Sequence, residues 1–118
     1  HRQSSAASDV YKRQAYFSNN ETFAKKIENL NKEKLRCWRL PLYSPYLVKI
    51  KSQVADLSNA SLDGMAGSIT AALFLQEFLK SPNIPWFHFD TFAWSQDSKG
   101  AALQGLDIMI DFLRKNFN

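Results

Sequence analysis

The chain holds a single cysteine in 118 residues, Cys37, so no disulfide can form within it. No Cys or His lies near it at metal-ligand spacing, which leaves a passive thiol beside Trp38 and suits a reducing compartment. Long apolar runs are missing too. The longest candidate, Ile69 to Leu75, is interrupted by Thr70 and followed by Gln76-Glu77, well short of the roughly 18 residues a membrane-spanning helix needs. The first residues show no apolar core followed by a small-residue cleavage site, so a secretory signal is not expected and a cytoplasmic setting is. Internal repeats and low-complexity segments are absent.

The formal charge of +4 does not make a nucleic-acid track. From Ala15 onward twelve basic residues face ten acidic ones. The densest basic cluster, Lys25-Lys26 through Lys32, Lys34 and Arg36, is interspersed with Glu21, Glu28 and Glu33, the pattern of a solvated helix face. No nucleic-acid or membrane partner is expected. What is present is core material: 45% hydrophobic residues, 14% aromatic, in a chain of one-domain length.

Residues 1–14 carry no apolar periodicity, and Ser5-Ala-Ala-Ser-Asp-Val-Tyr-Lys-Arg-Gln14 resembles translated sequencing-adapter read-through. They are set aside from fold reasoning, which treats 15–118 as the folded unit. A native flexible tail is the alternative.

Within 15–118, Ser18 with Glu21 three residues on reads as a capping box opening a helix, with Phe23, Ile27 and Leu30 at helical spacing and an end near Lys32. Trp38 to Leu42 reads as a short extended segment. Ser44-Pro45 reads as a cap and first-turn proline before a short helix that turns Tyr46, Leu47, Ile50 and Val54 inward. The loop Asp56-Leu-Ser-Asn-Ala-Ser-Leu-Asp-Gly64 feeds a helix from about Gly67 to Leu79 that is apolar on nearly every side and so expects protein all round it. Trp86 to Trp94 reads as a strand with apolar groups on both faces, hence central and covered. After the polar turn Ser95 to Lys99, a last helix carries Ala101, Leu103, Leu106, Ile108, Met109, Ile110, Phe112 and Leu113, with Gln104, Asp107, Asp111 and Arg114 outward. The fold class is α/β, helix-rich with one long central strand. One strand cannot cover four helices, so the domain is incomplete.

Few residues offer chemistry. His88 and Asp90 share a strand face, but a catalytic zinc usually takes three protein ligands, and a buried structural pair is the better reading. Gly64-x-x-Gly67-Ser68 before a helix resembles an anion-binding start but lacks a P-loop's lysine and spacing, so close packing of the glycines is favoured. Ser68 is not in a Gly-x-Ser-x-Gly nucleophile setting. Asp107 and Asp111, a helical turn apart, read as a solvated face.

Several motifs occur together and in order: Phe17-Ser-Asn-Asn, Trp38-Arg-Leu-Pro-Leu42, Ala55-Asp-Leu-Ser-Asn59, Ala66-Gly-Ser-Ile-Thr-Ala-Ala-Leu-Phe-Leu75, Pro85-Trp-Phe-His-Phe-Asp90 and Lys99-Gly100. This set resembles the C-terminal end of the leucyl (cytosol) aminopeptidases, metallopeptidase family 17. The resemblance covers Ala15 to Phe117. It implies the C-terminal portion of an α/β/α catalytic domain. It also implies a full-length parent that assembles as a homo-hexamer and removes N-terminal residues from peptides with two divalent metals, zinc or manganese.

The family's ligands are an upstream lysine and aspartates and an Asn-Thr-Asp-Ala-Glu-Gly-Arg motif whose arginine holds a bicarbonate. None of these occurs here, so no catalytic residue or metal ligand is assigned, and the fragment alone is expected to bind no metal and to be inactive. Ala60, Thr91, Phe92 and Ala93 correspond to family positions near the bound side chain, with core packing an alternative for Phe92 and Ala93. A non-enzymatic interaction module built on the same fold is the competing reading.

Overall fold

The computed structural model describes residues 14–32, 37–52, 55–58, 66–91 and 106–117. Three strands, β1 (Gln14–Ser18), β2 (Cys37–Arg39) and β3 (Phe87–Asp90), form one sheet in the order β2-β1-β3. Strand β2 runs parallel to β1 and β3 antiparallel. The helices are α1 (Glu21–Asn31), a 3-10 helix (Ser44–Ile50), α2 (Gly67–Gln76) and α3 (Leu106–Phe117).

The central strand of the described sheet is β1, not the Trp86 segment. Gln14, Tyr16, Phe17 and Ser18 are all buried, as a strand paired on both edges and covered on both faces requires. Among the described strands β3 borders β1 only, and each of its four residues is half-buried. Apolar residues on both sides of this segment report coverage of its two faces and say nothing about its edges. Sequence reading also passed over β1, which is short, begins at Gln14 and runs directly into a helix start.

Side chains alternate across the sheet, and each face takes its own helices. Tyr16, Phe87 and Phe89 face Ile27 of α1 and Ile108 and Phe112 of α3, with Cys37 in the same cluster and Phe23 and Leu30 packed against it. Phe112 anchors this layer, its ring 5.2 Å from that of Phe23 and 5.3 Å from that of Phe87, both edge-on. On the opposite face Phe17 stacks with His88, and α2 packs against β3 and the 3-10 helix. Helices thus cover both faces of a mixed sheet, the α/β/α arrangement expected.

Local details depart from the sequence reading. The cap of α1 is Asn20, whose Oδ1 accepts from the Phe23 N–H at 2.9 Å. Ser18 still belongs to β1, and its hydroxyl donates to the Trp86 carbonyl at 2.8 Å. Glu21, the other half of the expected capping box, pairs instead with Arg39 through two contacts of 2.5 and 2.9 Å. Tyr43, in extended conformation, precedes the 3-10 helix and contributes no side-chain cap; Ile50 is buried as expected and Val54 lies outside the described residues. The residue in left-handed conformation before α2 is Ala66, at φ 54°. A Cβ at Gly67 would meet no atom within 4 Å, so close packing does not explain that glycine; Gly64 lies outside the described residues. The α-helical part of α2 stops at Gln76, and tighter bonds close the tail, such as Phe78 N–H to the Leu75 carbonyl at 3.2 Å.

The last helix is turned differently from expectation. Asp107 and Asp111 are half-buried, whereas Leu106, Ile110, Leu113 and Phe117 are exposed. At 100° per residue those four fall on the side opposite Ile108 and Phe112. Helix α3 therefore has two apolar sides, and the shared core claimed the one bearing Phe112. The second side, like exposed Leu75 and Phe78 at the end of α2, marks a partial domain.

Candidate functional site

Strand β3 has two ends in unlike surroundings. Its start is tied to the end of β1: Trp86 N–H donates to Asn19 Oδ1 at 2.8 Å, Asn19 N–H donates to the Trp86 carbonyl at 3.3 Å, and Asn19 Nδ2 donates to the Ile84 carbonyl at 2.9 Å. Its finish is Asp90, which pairs with Ala15 across the ladder and accepts a hydrogen bond at Oδ2 from the Ser68 hydroxyl in the first turn of α2. Exposed Thr91 follows.

Between these ends lies His88. Its ring stacks on Trp86, with centroids 6.1 Å apart and planes 9° off parallel, and on Phe17, at 6.1 Å and 22°. Burial pushes its pKa below the ordinary 6.5, while the Asp90 carboxylate pulls the other way. Asp90 accepts from Ser68, and His88 and Asp90, both half-buried, act on each other through charge, in keeping with the structural role expected of the pair. Among the described residues no group of three or more His, Cys, Asp or Glu could hold a metal ion. The described side chains therefore do not fit a two-metal centre, and no step of catalysis is derived through one.

An open groove of about 740 Å³ lies at the other end of the sheet, lined by Ser18, Asn19, Arg39, Leu42, Leu47 and Leu73 among others. The ladder register sets Ser18 opposite Phe87 and Ala15 opposite Asp90, which separates the two ends by about 10 Å of strand. Arg39 is the cation on the rim, and its bidentate pairing with Glu21 raises its own pKa and lowers that of Glu21. A committed guanidinium makes the groove a poor anion site.

Cys37 is buried, and desolvation, with smaller contributions from Asp107 and Glu28, pushes its thiol up to about 11. That is the inert thiol expected. Of the four residues proposed to lie near a bound side chain, Thr91 is exposed at the end of β3, and Ala60, Phe92 and Ala93 lie outside the described residues. Ser68 and Asn19 were not singled out as partners of the strand. No local signal marks them, because each bonds a residue more than twenty positions away.

Comparison with known proteins agrees with this geometry. Residues 6–110 match the profile of the cytosol aminopeptidase family, catalytic domain. Similar curated proteins include a probable cytosol aminopeptidase of Syntrophotalea carbinolica, 37% identical over 109 residues and covering 86% of this chain, and another of Chlorobium luteolum, 40% identical over 106 residues and covering 84%. This chain spans only about a fifth of those proteins, 21% and 20% respectively. Among solved structures, the cytosol aminopeptidase from Coxiella burnetii matches with a TM-score of 0.81 at 38% identity, covering 92% of this chain and 25% of its own. A tomato leucine aminopeptidase mutant matches at 0.78 and 27% identity, covering 96% and 23%. No described helix is long and apolar enough to cross a membrane. By sequence profile and by fold, the chain belongs to the cytosol aminopeptidase family, of whose catalytic domain it spans a part.

Proposed function

We propose that the chain is the C-terminal part of the catalytic domain of a leucyl aminopeptidase, a two-metal enzyme that releases N-terminal residues from peptides. The observation that carries this reading is the family match over residues 6–110 together with the fold match to the Coxiella burnetii enzyme. In that parent the two metals, zinc or manganese, would activate water and polarise the scissile carbonyl, and their ligands would come from outside this chain. The contribution of the chain itself is a wall. Thr91 at the end of β3, with Phe92, Ala93 and the loop residue Ala60, would line the pocket for the side chain of the departing residue. The parent would act in the cytoplasm as a homo-hexamer.

The chain alone is then inactive. Titration of the purified 118-residue chain with zinc and manganese, and an assay with leucine p-nitroanilide, are expected to show neither stoichiometric metal binding nor turnover. Metal-dependent hydrolysis by the chain alone would overturn its inactivity. A soluble monomer with a cooperative thermal transition would favour a self-contained interaction module; the second apolar side of α3 argues against that outcome.

A further inference from the structure

On the uncovered side of α3, Leu106, Ile110, Leu113 and Phe117 are between 39% and 68% exposed. Their steps of four, three and four residues are those of the apolar seam in a two-helix coiled coil. At 100° per residue the four fall within about 60° of one another, while Ile108 and Phe112 are turned to the core.

Charge sets the direction in which such a seam can pair with itself. Asp107 and Arg114, seven residues apart, lie on one flank of it, and the uncharged Met109 and Asn116 lie on the other. In a parallel pair each flank faces the opposite flank of its neighbour, which leaves both charges beside uncharged residues. In an antiparallel pair like flanks meet, so Asp107 faces the partner's Arg114 and the twofold axis repeats the contact. The same axis sets Leu106 against the partner's Phe117 and Ile110 against the partner's Leu113.

We infer that the uncovered side of α3 is a self-docking surface, occupied by a second copy of this chain in an antiparallel, twofold-symmetric pair. Leu75 and Phe78, also exposed, offer no such register, because Gly67–Gln76 carries no charged residue. Twelve residues of helix bury less than a stable dimer needs, so the pair is weak and reversible. The pairing is a property of α3 and does not depend on the aminopeptidase reading.

The test uses the purified 118-residue chain, sedimented over a concentration series. A monomer–dimer equilibrium is expected, and Ile110→Lys should abolish it. Arg114→Glu, at an exposed position, should weaken dimerisation about tenfold, and adding Asp107→Lys should restore it to within about threefold, because the two charges then face each other reversed. Circular dichroism of each variant should match that of the unmodified chain, so that loss of the dimer reports the contact and not unfolding.

Orientation is read by disulfide trapping. Leu106→Cys and Phe117→Cys, mixed and oxidised, should link to each other. Alone, neither should link to itself, since its twin lies about 16 Å away along an antiparallel pair. Buried Cys37 is common to every sample and gives the background. A chain that stays monomeric throughout the series would overturn the inference and leave that side of α3 to the rest of the catalytic domain. Aggregation without a discrete dimer, dimers that survive Ile110→Lys, or self-linking of either cysteine variant would overturn it as well.

Discussion

Asn19 and Trp86 hold each other by two hydrogen bonds. The Trp86 N–H donates to Asn19 Oδ1 at 2.8 Å, and the Asn19 N–H donates to the Trp86 carbonyl at 3.3 Å. The pair closes the β1–β3 ladder where the strands separate, and the Asn19 amide reaches on to the Ile84 carbonyl. Asn19→Ala leaves the half-buried Trp86 N–H without its acceptor and is expected to cost about 2 kcal/mol. Asn19→Asp keeps the acceptor and loses the donor, so urea denaturation should place it between the two.

The cap of α1 offers a local test. Asn20→Ala removes the acceptor for the Phe23 N–H and should destabilise by about 1 kcal/mol, whereas Asn20→Asp and Asn20→Ser should be close to neutral. Glu21→Gln is expected to change little, because Glu21 is exposed and bonded to Arg39 and makes no cap contact.

Cys37 should react slowly. Its thiol is buried and, at about 11 against an ordinary 9.0, stays protonated through neutral pH, so little nucleophilic thiolate forms. Alkylation by iodoacetamide at pH 8 is expected to require opening of the chain, and to accelerate sharply in denaturing urea. The fold favours the protonated thiol, so its stabilising contribution is present below pH 9 and is lost as pH rises toward 11.

His88 carries the opposite dependence. Burial lowers its pKa in the fold below 6.5, so the unfolded chain binds more protons in that window and stability rises with pH through it. Neutral His88 is thus tolerated above pH 6.5, and stability falls on acidification below that value. Denaturation midpoints between pH 5 and 8 should show this slope, and His88→Phe, which retains a ring between Trp86 and Phe17, should flatten it.

The two sides of α3 should respond oppositely to substitution. Phe112→Ala opens a cavity among Phe23, Phe87 and Ile108 and is expected to cost about 3–5 kcal/mol. Ile110→Lys and Leu113→Lys lie on the exposed apolar side and should reduce self-association, read by light scattering, with little loss of secondary structure.

The sequence by itself determined the family and the fold class, because the ordered motifs from Phe17 to Lys99 are contiguous strings that need no partner to be read. It also determined that the domain is partial, through the excess of apolar helix surface over strand. Helix α1, the short helix at Ser44-Pro45 and the inert Cys37 were legible for the same reason: apolar spacing, the placement of proline in a first turn and burial tendency are local properties, although the capping residues themselves were misassigned.

Which strand is central, which side of α3 meets the core, and what Asp90 and Asn19 bind were decided only by tertiary structure. Apolar residues on both sides of β3 report that both faces are covered, but edge pairing depends on β1, about seventy residues away. A helix with apolar residues on two sides leaves its orientation to the neighbour that fills the space, here Phe23 and Phe87 around Phe112. The Ser68–Asp90 contact joins residues 22 positions apart, and only the packing of α2 against β3 brings them together.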